Sequence, residues 1–110
     1  MTIEFQTPYG KISEKLIMDI RNEVLKLSHK NKDILRAEVL LREDNTIITA
    51  ENKVCEIRLT VYGDDLLTHA RTEKFIKSAK EAIKKLKKLV NLQVKKQNEP
   101  FDEMTRTVKV

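Results

Sequence analysis

Cys55, His29 and His69 are the residues whose side chains suit nucleophilic or metal chemistry. A thiolate beside an imidazole is a nucleophile pair, and a thiolate with two imidazoles supplies three zinc ligands. The spacings of these three fit no metal motif. Cys55 falls on the apolar side of an alternating segment, so it reads as a small core residue, and the two histidines read as surface groups. Asp64 and Asp65 could act as paired carboxylates in acid–base chemistry. They follow Gly63 between two strand-like segments, so they read as turn formers. Gly10 and Gly63 are isolated and build no phosphate-cradling loop. No constellation for catalysis emerges. The expectation is a protein that is not an enzyme, with no catalytic residue, metal site, cofactor or small-molecule substrate.

The chemistry that the sequence does offer is charge. The net charge is +5, with 35% charged and 40% hydrophobic residues. From Arg71 to Gln97, ten Lys or Arg stand against Glu73 and Glu81, giving +8. The remaining twelve basic and fifteen acidic residues sum to −3. A basic stripe on a mildly acidic body is the footprint of a polyanion binder.

Elements must position that stripe. Residues 2–7 alternate as a strand with one buried face. Pro8-Tyr9-Gly10 breaks it, Ser13 is a candidate N-cap, and Ile12 and Ile17 have hydrophobic-staple spacing. Leu16, Ile20, Val24 and Leu27 recur at helical spacing, predicting a helix over 14–29, with His29–Asp33 as its exit loop. Residues 34–42 alternate, with Ala37, Val39 and Leu41 on one side. Residues 54–62 alternate most cleanly, with Cys55, Ile57, Leu59 and Val61 inward. Residues 62–65 form the expected hairpin turn, and 66–71 the return strand. A long helix follows over about 73–97, with Ile76, Ala79, Ile83, Leu86 and Val90 as its buried stripe. Met18 and Leu25 fall on the solvent side of the first helix.

The expected fold is α+β: a two-layer β-α-β-β-β-α sandwich, a four-stranded mixed sheet with two helices on one face. Residues 1–97 read as a single domain and 98–110 as a flexible C-terminal tail. The start of the chain lacks signal-peptide features, no apolar run reaches bilayer length, and a lone cysteine suits a reducing compartment. A cytoplasmic protein is expected, with no membrane partner.

At about 100° per residue, Lys77, Lys84, Lys88 and Lys95 fall on one line of the last helix. Lys80 and Lys87 lie between that line and the buried stripe, and Lys74 and Lys85 on its far side. Such a helix spans about 37 Å, enough to follow several phosphates. Lysines often serve only solubility, commonly paired with Glu at i,i+4. Here the pairing is sparse: Glu73–Lys77, Lys77–Glu81 and Glu81–Lys85. The stripe has no Arg and aromatics are 5% of the chain, which favours folded RNA read by shape and backbone over base reading or stacking.

The order of elements and the segments Ile12-Ser13-Glu14-Lys15-Leu16, Val24-Leu25-Lys26-Leu27 and Ala82-Ile83-Lys84-Lys85-Leu86-Lys87-Lys88-Leu89 resemble the short ribosome hibernation-promoting factors. That family is also known through protein Y, the ribosome-associated inhibitor, and as sigma-54 modulation proteins. The resemblance covers residues 2–97. It implies the same sandwich and a seat on the small ribosomal subunit and its rRNA, across the paths of messenger RNA and of the A- and P-site transfer RNAs. Lys26, Lys85 and Lys88 match basic positions of the family's RNA-facing surface, and Lys95 and Lys96 its basic helix end. Lys77, Lys84 and Lys87 come from the ridge geometry, with Lys80 beside them. Glu23 and His29 stand where relatives tend to be basic. The protein is expected to be a monomer when free. The alternatives are another basic module that binds double-stranded RNA, in a fold that normally starts with a helix, or one that binds an acidic protein.

Overall fold

The computed structural model describes residues 1–8, 12–46 and 50–97, with side chains to Gln93. Six elements follow one another: β1 (Thr2–Gln6), α1 (Glu14–Lys30), β2 (Ile34–Glu43), β3 (Lys53–Val61), β4 (Asp64–Thr72) and α2 (Phe75–Gln97). Residues 98–110, expected as a tail, lie outside the described residues.

Each boundary has a local cause. Ser13 starts α1: its Oγ accepts from the Leu16 amide at 3.1 Å, satisfying a first-turn N–H. Ile12, just before the cap, packs against the core. At the other end the Asn31 amide donates to the Leu27 carbonyl, so α1 runs through His29 to Lys30 and the exit loop is shorter than expected. In β2 the register shifts between Ile34 and Arg36. The bulge leaves Leu35 at 54% exposure and keeps both Ile34 and Ala37 inward. The β3–β4 hairpin is tighter than the four-residue turn that the sequence suggests. Val61 already pairs with Asp64, leaving only Tyr62 and Gly63 in the loop. Gly63 has φ +85, a conformation that costs little without a Cβ.

The strands form one sheet in the order β1-β2-β3-β4, with β1 parallel to β2 and the other neighbours antiparallel. This is the expected mixed α+β sandwich. The inward residues Ala37, Val39, Leu41, Cys55, Ile57 and Leu59 are buried under Ile20, Val24, Leu27, Ile83, Leu86 and Val90 of the two helices. Among the described residues no helix covers the other sheet face, which is mainly charged and polar, with Leu67 exposed on it. Val54 is buried on that outward side, between its cross-strand neighbours Arg42 and Arg71, and lies outside the main core.

The packing of α2 corrects one expectation. Ile76 belongs to the predicted buried stripe, yet it is 54% exposed. The buried face is turned toward β4, where Ser78 and Ala82 are fully buried. These small side chains let α2 lie close on that strand, and the Thr68 hydroxyl donates to the Ala82 carbonyl at 3.1 Å. Ile76 is carried to the margin of the groove facing α1. The start of α2 is set by Thr72, whose Oγ1 accepts from the Lys74 amide and donates to the Lys74 carbonyl.

Candidate nucleic-acid interface

Burying one face of α2 forces its lysines outward in three directions. Lys80, Lys84 and Lys87 line an open groove between α1 and α2, together with Lys15 and Lys26 from α1. Lys77 and Lys88 are exposed on the same helix, away from its buried residues. Lys85 leans the other way, donating from Nζ to the His69 carbonyl of β4 at 3.0 Å. That bond covers part of an exposed sheet edge. Lys95 and Lys96 belong to the α2 backbone, but their side chains lie outside the described residues. Six of the predicted lysines, Lys26, Lys77, Lys80, Lys84, Lys87 and Lys88, thus share the helical side of the molecule. Lys15 was missed by the sequence reading. Its signal was present, because residues 15 and 26 are eleven apart, about three turns along one helix face.

The two faces differ in how their charge is compensated. On the open sheet face, Arg36 pairs with Glu4 at 2.7 Å and Glu38 at 3.3 Å, Arg42 with Glu56 at 3.1 Å, and Arg58 with Asp65 at 2.9 Å. Lys53 pairs with Glu43 at 3.2 Å at the end of the β2–β3 ladder. These exposed pairs add little stability each. Their consequence is electrostatic, since these four basic groups are neutralised locally, while Arg71 of β4 makes no ion pair within 4 Å among the described residues.

On the helical side compensation is thin. Among the described residues, Lys80, Lys84 and Lys88 make no ion pair within 4 Å. Of the three i,i+4 pairs that the sequence permits, only Glu73–Lys77 forms, at the end of the ridge. Hydrogen bonding to Lys77 holds the Glu73 carboxyl below its ordinary range. Glu23 of α1 is the acid in the middle of the basic surface. Its carboxylate lies 3.2 Å from Lys87 and 3.5 Å from Lys26. The hydrogen bond from Lys87 keeps it below the usual carboxylate range, and the nearby charges of Lys87 and Lys26 add to this. Lysines at this density, in excess over the acids beside them, attract a polyanion through many point-charge contacts.

The residues suited to catalysis do not assemble. Strand parity sends Cys55 into the core and His69 to the open face, while His29 sits in the last turn of α1. Burial pushes the Cys55 thiol up to about 12, so the nucleophilic thiolate is suppressed at neutral pH. Asp64 and Asp65 begin β4 instead of forming the turn, and Asp65 is held by Arg58. No group of three possible metal ligands occurs among the described residues. No described helix is long and apolar enough to cross a membrane.

No protein-family profile matches the chain, and no curated protein matches it in sequence. Solved structures do match in fold. A ribosomal subunit interface protein from Coxiella burnetii superposes with a TM-score of 0.71 and 14% identity, over 84% of this chain and 97% of that one. The N-terminal domain of Thermus thermophilus Protein Y superposes with a TM-score of 0.62 and 13% identity, over 81% and 91% of the two chains. At such identities the likeness is one of fold.

Proposed function

We propose that this protein is a ribosome hibernation factor, a cytoplasmic member of the protein Y family that binds the small ribosomal subunit and its rRNA. Its helical side, α2 with the adjoining face of α1, meets the RNA backbone. By occupying the channel of messenger RNA and of the A- and P-site transfer RNAs, it stops translation without catalysing a reaction. The observation that carries this reading is the unequal compensation of the two faces: Arg36, Arg42 and Arg58 of the sheet each pair with an acid, whereas on the helical side Lys80, Lys84 and Lys88 make no ion pair among the described residues and the single carboxylate of Glu23 serves both Lys26 and Lys87. The fold shared with a ribosomal subunit interface protein and with Protein Y supports the choice of partner. A double-stranded RNA-binding domain is disfavoured, because β1 precedes α1 and is hydrogen-bonded into the sheet.

Sedimentation with vacant ribosomes and separated subunits tests it. The protein should pellet saturably, one to one, with small subunits at low salt. A variant with Lys84, Lys85, Lys87 and Lys88 changed to Gln should stay in the supernatant. These lysines are exposed, so circular dichroism should show an unchanged fold. If all four contact phosphate, the slope of log affinity against log salt flattens by about 3 in the variant. Equal binding by the variant, or none by the native chain, overturns the proposal and turns attention to an acidic protein partner.

A further inference from the structure

The groove between α1 and α2 holds an arrangement with a meaning of its own. Oε1 of Glu23 faces the Lys26 ammonium at 3.5 Å, and Oε2 faces the Lys87 ammonium at 3.2 Å. Two cations from two different helices converge on one anion, one on each oxygen. A backbone phosphate with two free oxygens is met by the same geometry. The cations are carried on a rigid frame, since Val24 beside Glu23 and Leu86 beside Lys87 are both at 0% exposure in the shared core. Lys80 and Lys84 line the same groove with no ion pair among the described residues, so the positive track continues past this point. The Glu23 side chain is 32% exposed and can swing aside into solvent.

We propose that Lys26 and Lys87 form a two-lysine seat for an RNA backbone phosphate, which the Glu23 carboxylate occupies in the free protein as a resident competitor. The proposal rests on the RNA-binding part of the reading above and not on the ribosome as partner. Isolated anions meet a filled seat. An RNA that also engages Lys80 and Lys84 brings enough charge to displace Glu23. The carboxylate thereby weakens casual binding and favours a ligand with several correctly spaced phosphates.

The test measures affinity across a salt series for two targets, an RNA duplex of about 20 base pairs (long enough for a two-groove contact) and vacant small subunits. Four chains are compared: native, Glu23→Gln, Asp19→Asn and the double variant Glu23→Gln with Lys87→Gln. Asp19 lines the same groove and makes no ion pair among the described residues, so its change removes equal charge without freeing a lysine. Glu23→Gln should bind several-fold tighter and steepen the salt slope by about 0.7–0.9 for each lysine freed. Asp19→Asn should gain less and keep the native slope, and the double variant should fall back toward it. A gain with Glu23→Gln no larger than with Asp19→Asn, or no gain on either target, overturns the seat and leaves the ribosome reading standing. The expected pattern on the duplex with no binding to subunits keeps the seat and removes the ribosome reading. No binding of either RNA by any chain removes both.

Discussion

The Ser78 hydroxyl lies 2.6 Å from the Lys53 carbonyl and 3.1 Å from the Thr72 amide, and is completely buried. It joins the start of β3, the end of β4 and the first turns of α2, so this one side chain adds a polar tie between the basic helix and two strands of the sheet. Replacing Ser78 by Ala leaves the buried Thr72 N–H and the Thr72 hydroxyl short of a partner. Urea denaturation of Ser78→Ala should show a loss of about 1–3 kcal/mol, the usual penalty for an orphaned buried donor. A loss below about 0.5 kcal/mol would mean that the hydroxyl is not a tie between the layers. Sequence reading found Ser13 and missed Ser78 for a physical reason. A helix cap is a local signal, in which Ser13 serves the amide three residues on. The shortest hydrogen bond of Ser78 goes to a carbonyl 25 residues away, which only the folded chain brings near.

The 3.6-residue period of α1 and the two-residue period of β3 were legible because one face of each is buried against a continuous core. The faint pattern of β4 has a tertiary cause. Its inward positions are Leu66, Thr68, Ala70 and Thr72, and the two threonines are tolerated because they hydrogen-bond to the α2 region. The same close approach rotated α2 and exposed Ile76. Lysine placement survived that rotation, since six of the predicted lysines still lie on the helical side. Which basic residues are neutralised was not legible, because Arg36, Arg42 and Arg58 find their acids across strands. That neutralisation yields a prediction. A variant with Arg36, Arg42 and Arg58 changed to Gln should bind small subunits with an affinity and salt slope close to native. A slope flattened by about 2 or more would show that the sheet contacts phosphate too.

The whole molecule has two dissimilar sides: a helical side whose groove holds more lysines than its acids can pair, and a sheet side where Arg36, Arg42 and Arg58 each pair with an acid. A body of this kind is steered to a polyanion in one orientation, and the apolar core that fixes the helices fixes the spacing of the lysines as well. Chemical footprinting of that orientation is the most direct measurement. Acetylation of lysines and phenylglyoxal modification of arginines are read residue by residue by mass spectrometry, with and without saturating vacant small subunits. Lys26, Lys80, Lys84, Lys87 and Lys88 should lose reactivity in the complex, while Lys53, Arg36 and Arg58 keep theirs. Full reactivity of the α2 lysines in a saturated complex, or protection centred on the sheet, would contradict docking through the helical side.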